Sequence, residues 1–210
     1  MIDLALIEQC SPEVHPATMM ALIKSESSAN PYAIGVVGMN LTSQPTTLEE
    51  ARETASHLIK EGYNISLGLG QINIHNFDWL RLNLNSVFDK CTNLEAAQTV
   101  LKTCYDRATS ELSGDDALKA ALSCYYSNNF QRGFEPDDRN GFSYIDRYII
   151  NRTRVPSTYD SSLTYKVPDL ISKGGVNTDE NKRVINDVKA LEDLTPDADR
   201  PSWDVFKELI

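Results

Sequence analysis

The sequence predicts a mainly α-helical α+β domain over residues 1–154 and a mostly disordered tail over residues 155–210. Three observations carry this expectation. Apolar residues recur at helical spacing in six stretches before residue 154. One stretch, Tyr63 to Asn73 (YNISLGLGQIN), is instead glycine-punctuated and β-branched, so it reads as a strand or extended loop. From about Val155 onward apolar residues thin out in favour of proline and polar residues, and such a segment buries too little surface to offset its ordering entropy.

A chain of 210 residues accommodates one ordinary domain with a real core, plus an appendage. With 41% hydrophobic residues and no apolar run of bilayer length, it contains no transmembrane segment. A net charge of -10 argues against nucleic acid as a partner, because phosphate binding needs a clustered basic face. Residues 151–210 hold eleven acidic and nine basic side chains, so most of the negative charge belongs to the folded part. The start, MIDLALIEQ, lacks a basic segment and a cleavage pattern and does not read as a signal peptide.

In chain order, Asp3 caps a first helix to about Gln9, which Ser11-Pro12 breaks. His15-Pro16 opens a second, with proline at the first helical position, where a missing N–H costs little. It carries Met19, Met20, Leu22 and Ile23 and delivers Glu26 at its last turn, and Asn30-Pro31 stops it. Gly35 to Thr46 reads as loop. Thr47 to Glu50 is a capping box that opens a third helix to about Lys60, closed by Gly62. After Tyr63 to Asn73, Asn93 is expected to cap a helix to about Leu112. Asp115 or Asp116 then begins another that runs to Asn128-Asn129, and the two should pack antiparallel as a core hairpin. Phe142 to Ile150 forms a last helix. In the tail, a short helix near Glu180 to Leu191 and a docking segment WDVFKELI are conceivable, against the usual behaviour of a frayed chain end.

Several apparent motifs carry no chemistry. Gly68 and Gly70 make a GxG without the third glycine and following helix of a dinucleotide site. His15, His57 and His75 share no metal-ligand spacing, so neither a metal nor another cofactor is expected. Cys10, Cys91, Cys104 and Cys124 have no CxxC spacing. They read equally as buried thiols or as disulfides, with three possible pairings, of which Cys104 with Cys124 is plausible because both lie on adjacent core helices.

Three segments remain: Glu26-Ser27 with Ala29-Asn30-Pro31-Tyr32-Ala33-Ile34, then Gly68-Leu69-Gly70-Gln71-Ile72-Asn73, then Cys124-Tyr125-Tyr126-Ser127-Asn128. In this order they resemble the soluble lytic transglycosylase family, with its goose-type lysozyme-like fold, over about residues 8–150. The wide spacing of the first two motifs is similar to that of the branch associated with type IV secretion and conjugation. Gly70, Tyr126 and Asn128 depart from the family's usual residues, which bears on subsites more than on the reaction.

The resemblance implies that Glu26 is the catalytic acid and that the Tyr125 hydroxyl orients it. It implies a sugar cleft lined by Ser66, Gln71, Asn73, Tyr126 and Asn128. An ordinary glycosidase works with two carboxylates. The motifs here supply one, as the family's lytic chemistry requires: a protonated Glu26 cleaves the bond between N-acetylmuramic acid and N-acetylglucosamine, then takes the proton of the attacking C6 hydroxyl to leave a 1,6-anhydro end. Burial is expected to raise the Glu26 pKa so that it starts protonated. The implied partners are peptidoglycan glycan strands and, through the tail, components of a secretion or conjugation apparatus. The implied location is the periplasm, reached by a signal peptide outside this numbering. A muramidase on the same fold, and a glycan-binding assembly protein with little catalysis, are the alternatives.

Overall fold

The computed structural model describes residues 2–155, and the expectations for the tail lie outside them. The contacts divide the chain into two compact units, the first ending at Thr99 and the second starting at Val100.

The first unit begins with α1 (Leu4–Cys10), capped by the Asp3 carboxylate, which accepts from the Leu6 N–H at 2.9 Å. α2 (Pro16–Ser27) follows, with Pro16 at its first position and the His15 ring accepting from the Ala17 N–H. Every residue from Ala17 to Ile23 is buried. A helix apolar on all sides belongs inside a core rather than on its surface, and α1 packs against it. Pro31 cannot continue α2, and Ser28 and Ala29 already leave it with φ of 54° and 59°.

Three short strands form an antiparallel sheet in the order β1-β2-β3: β1 (Ile34–Val36), β2 (Ile65–Leu67) and β3 (Ile72–Asn73). β1 occupies the start of what the sequence suggests is loop. Three residues around a glycine carry no readable alternation, and their pairing with β2 is a long-range event. Tyr63 to Asn73 resolves into β2, a tight Gly68–Gln71 turn and β3, with Ser66 opposite Asn73 and Leu67 opposite Ile72. α3 (Leu48–Lys60) has the expected capping box, Thr47 with Glu50, and packs on β2. A short helix α4 (Phe77–Leu80) comes next. Cys10 and Cys91 form a disulfide that closes a loop of 81 residues.

α5 (Lys90–Ala108) contributes its first ten residues to the first unit and the rest to the second. It starts three residues before the expected Asn93 cap, because Asp89 takes that role by accepting from the Thr92 N–H at 2.9 Å. Asn93 is buried with 1% exposure and serves another purpose, described below.

In the second unit, α6 (Gly114–Ser127) is tied to α5 by the Cys104–Cys124 disulfide, the pairing considered plausible from the sequence. α7 (Tyr144–Thr153) opens with a Ser143–Asp146 capping box and packs on α6. Gly133 permits a close approach: an added Cβ would lie 2.7 Å from the Ser123 Cα. The mainly helical α+β character is as expected. Among the described residues, no helix is long and apolar enough to cross a membrane.

Candidate active site

Glu26 is half-buried on the last turn of α2, where the chain leaves the helix through two left-handed residues. The Ala29 N–H reaches back to the Ile23 carbonyl at 3.1 Å and the Ser28 N–H to the Lys24 carbonyl at 3.2 Å, which satisfies carbonyls the helix end would leave open. The next residue, Ser27, is buried. Its hydroxyl lies 2.7 Å from the Leu69 carbonyl and 3.0 Å from the Ile23 carbonyl, so its single proton is shared between α2 and the Gly68–Gln71 turn. The adjacency of Glu26 and Ser27 thereby has a physical meaning: one side chain faces the cleft while the next fastens the turn that brings Gln71 to it.

That turn is held from its other side by Asn93. The Asn93 carboxamide accepts from the Gly70 N–H at 2.7 Å and donates to the Leu67 and Val87 carbonyls at 3.1 and 2.7 Å. Gly68, at φ +79°, leaves room for it, since a Cβ there would lie 2.3 Å from Asn93 Nδ2. Gln71 itself adopts φ 48°, and its Nε2 donates to the Ala33 and Gly68 carbonyls at 3.1 and 2.9 Å. Its Oε1 passes 2.6 Å from where a Cβ on Gly35 would stand, so Gly35 is required for this placement.

These pieces enclose a cleft of about 330 Å³. Its lining combines Glu26, Ser27 and Asn30 from the end of α2, Ala33 to Val36 from β1 and its approach, Met39, Asn40, Leu41 and Gln44 from the segment after β1, and Gln71 from the turn. Glu26 is the one carboxyl group among these lining residues. Another concavity, of about 410 Å³ along α3, is lined by Arg52, Glu53, His57, Lys60 and neighbours and contains no motif residue.

Of the residues singled out in the sequence, Glu26 and Gln71 share this cleft. Ser66 and Asn73 are cross-strand partners outside it: Asn73 Nδ2 donates to Asn64 Oδ1 at 2.7 Å and to the Ser66 hydroxyl at 3.3 Å, and its Oδ1 accepts from the His75 N–H. Tyr125, Tyr126 and Asn128 belong to the second unit, at the end of α6. Tyr125 is half-buried there. Tyr126 stacks on Tyr144 with centroids 4.6 Å apart and donates its hydroxyl to Asp137 at 2.6 Å. Burial, then the Asp137 carboxylate, push the Tyr126 pKa up to about 12. Asp137 is also paired with Arg147, whose Nη2 lies 3.0 Å away. Asn128 ends α6 at φ 53° and accepts from Arg107 Nη1 at 3.1 Å.

Sequence reasoning missed Ser27 and Asn93 as organisers of the site, and Met39, Asn40, Leu41 and Gln44 as part of its lining. Ser27 and Asn93 bond to backbone groups, which leave no side-chain pattern to read. The only available hints were the place of Ser27 in the Glu26-Ser27 motif and the cap-forming chemistry of Asn93.

Residues 3–127 match the transglycosylase SLT domain family. The chain is 46% identical over 148 residues to the type IV secretion system protein virB1 of Brucella suis biovar 1 (strain 1330), covering 70% of this chain and 62% of that protein. It is 34% identical over 128 residues to the protein virB1 of Rhizobium radiobacter, covering 60% of this chain and 53% of the relative. The virB1 protein of Agrobacterium fabrum (strain C58) is 27% identical over 126 residues. The chain thus spans between half and two thirds of the length of these relatives. With the matched region containing Glu26-Ser27, the Gly68–Gln71 turn and Tyr125, this chain belongs to the transglycosylase SLT domain family.

Proposed function

We propose that the chain is a peptidoglycan lytic transglycosylase that cleaves the β-1,4 bond between N-acetylmuramic acid and N-acetylglucosamine. The observation that carries this reading is the single carboxyl group among the cleft's lining residues, Glu26, set at the C-terminal turn of α2 and accompanied in that lining by neutral side chains. A lone acid suits a reaction in which one group gives a proton and then takes one back. The first step requires that this acid carry its proton when the glycan binds.

In the first step Glu26 protonates the glycosidic oxygen, and the bond to C1 breaks with the electron pair leaving on that oxygen. The developing cation at C1 is stabilised by the substrate's own N-acetyl group. The Glu26 carboxylate then accepts the proton of the muramoyl C6 hydroxyl, whose oxygen bonds to C1. Glu26 ends as it began, and no water is consumed. Gln71 and Asn30 offer polar groups to the sugars from the cleft. Tyr125 is assigned, on the family resemblance, the role of orienting Glu26. Ser66, Asn73, Tyr126 and Asn128 are assigned outer contacts with the glycan on the same ground.

The name of the Brucella relative, a type IV secretion system protein, supports a role beside such an apparatus, and the proposed reaction would there open the cell wall for a secretion or conjugation machinery. The two disulfides support an oxidising compartment such as the periplasm. The test is Glu26→Gln, which keeps the shape and removes the titrating group. Release of soluble fragments from purified sacculi should fall at least about a thousandfold, the scale of a lost general acid plus base. Undiminished release would remove Glu26 from the chemistry.

A further inference from the structure

The strand β1 has one neighbour, β2, and its other edge is closed by means other than a strand. At Val36 the chain reverses through Val37 and Gly38, the latter at φ +79°, and Met39 bridges back with its N–H 3.3 Å from the Val36 carbonyl. Further on, the Gln44 carboxamide takes both backbone groups of Ile34: the Ile34 N–H donates to Oε1 at 2.8 Å, and Nε2 donates to the Ile34 carbonyl at 3.0 Å. A side chain must offer donor and acceptor together to do this; glutamate only accepts and leucine does neither. Pro45, buried, anchors the return toward α3.

Between these pins, Met39, Asn40, Leu41 and Gln44 stand beside β1 and form a wall of the same cleft that Glu26 lines. Met39 is 45% exposed and neighbouring Val37 40%, among the few large apolar side chains left open to solvent among the described residues. A thioether and a leucine suit the C–H faces of pyranose rings, while the Asn40 carboxamide matches their hydroxyl and acetamido groups.

We infer that residues 39–41 bind the N-acetylated glycan strand next to the scissile bond, with Gln44 as the positioning residue that holds them in place. This rests on the glycan-cleaving reading of the same cleft, and its test is therefore made on binding as well as turnover. In a Glu26→Gln background, co-sedimentation with purified sacculi reads affinity without chemistry. Adding Met39→Ala with Asn40→Ala should weaken it about fivefold to tenfold, the scale of one hydrogen bond and one apolar contact. Gln44→Leu should do the same through the loosened wall.

In the active protein, these substitutions should raise the half-saturating sacculus concentration by a similar factor and leave turnover at saturation within about twofold. Met39 and Asn40 are exposed, so that pair should melt like wild type and remains informative should Gln44→Leu prove unstable. Unchanged binding in the Met39/Asn40 variant would overturn the inference, as would a loss confined to turnover. A wild-type protein that binds sacculi through this wall but releases nothing would instead defeat the proposed reaction and leave the inference standing.

Discussion

Asn93 offers a sharp test of how the site is held together. Its carboxamide is 1% exposed and satisfies one N–H and two carbonyls, at Gly70, Leu67 and Val87. In Asn93→Leu all three backbone groups lose their partner. At about 1 to 3 kcal/mol for each orphaned buried group, with some relief by relaxation, the loss should be roughly 3 to 5 kcal/mol and independent of pH. Asn93→Asp is more discriminating. Its carboxylate still accepts from the Gly70 N–H, but the second oxygen replaces an NH₂ that faces two carbonyls at 2.7 and 3.1 Å. The ionised form is therefore disfavoured in the fold, and the carboxyl pKa rises above its unfolded value of about 3.9.

A raised pKa gives stability that is fully present below pH 4 and is lost as pH climbs through the folded value. The deficit of Asn93→Asp against wild type should accordingly be about 1 kcal/mol near pH 4, where the neutral acid still donates one hydrogen bond. It should then grow by up to about 1.4 kcal/mol per pH unit before levelling off. Urea unfolding followed by tryptophan fluorescence at pH 4 and 7.5 reads this directly, since a slope of about 2 kcal/mol/M turns 3 kcal/mol into a midpoint shift of about 1.5 M. A midpoint for Asn93→Asp that tracks wild type across this range would refute the assigned hydrogen bonds.

Gly35→Ala places a methyl where Gln71 Oε1 now passes at 2.6 Å, so the Gln71 side chain must leave its position in the cleft; binding to sacculi should weaken severalfold while thermal unfolding shifts by only about 1 kcal/mol. Removing the Cys10–Cys91 pair should destabilise more than removing Cys104–Cys124, by about 4.5 against about 3.3 kcal/mol in the chain-entropy account of loops of 81 and 20 residues, as non-reducing urea curves would show. Burial alone would push the Asp137 carboxyl up, but hydrogen bonds from Arg147 and Tyr126 outweigh it and hold the pKa below the ordinary range. Its stabilisation is thus present above about pH 4 and lost as pH falls through the folded value. Asp137→Asn should cost about 1 kcal/mol at pH 7 and progressively less as pH falls below about 4, measured as the difference in melting midpoint from wild type.

The first three helices were legible because each announces itself by apolar spacing and a cap or first-turn proline: Asp3, His15-Pro16, and Thr47 with Glu50. The failures share a cause. Asn93 has the chemistry of a cap, yet its amide is spent on a turn that arrives from more than twenty residues away, and Asp89 caps in its place. β1 is too short to alternate, and it exists because β2 and the Gln44 side chain satisfy its two edges. Glu26 and Gln71 were readable as motif members, and the structure puts them in one cleft. Met39 to Gln44 were invisible because a wall made by an irregular segment has no period. Ser66 and Asn73 were named for the cleft by the family resemblance, and the structure adds that Asn73 donates to the Ser66 hydroxyl across the hairpin.

The central claim is that one carboxyl group, Glu26, both gives and takes the proton, with the substrate's own hydroxyl as nucleophile. The mass of the soluble muropeptides released from purified sacculi tests this most directly, because hydrolysis adds a water that the internal attack does not, a difference of about 18 mass units on every cleaved chain end. Products that are exclusively 1,6-anhydro, and absent with Glu26→Gln, are the predicted result. Reducing ends carrying the added water would contradict it and make the chain a hydrolase.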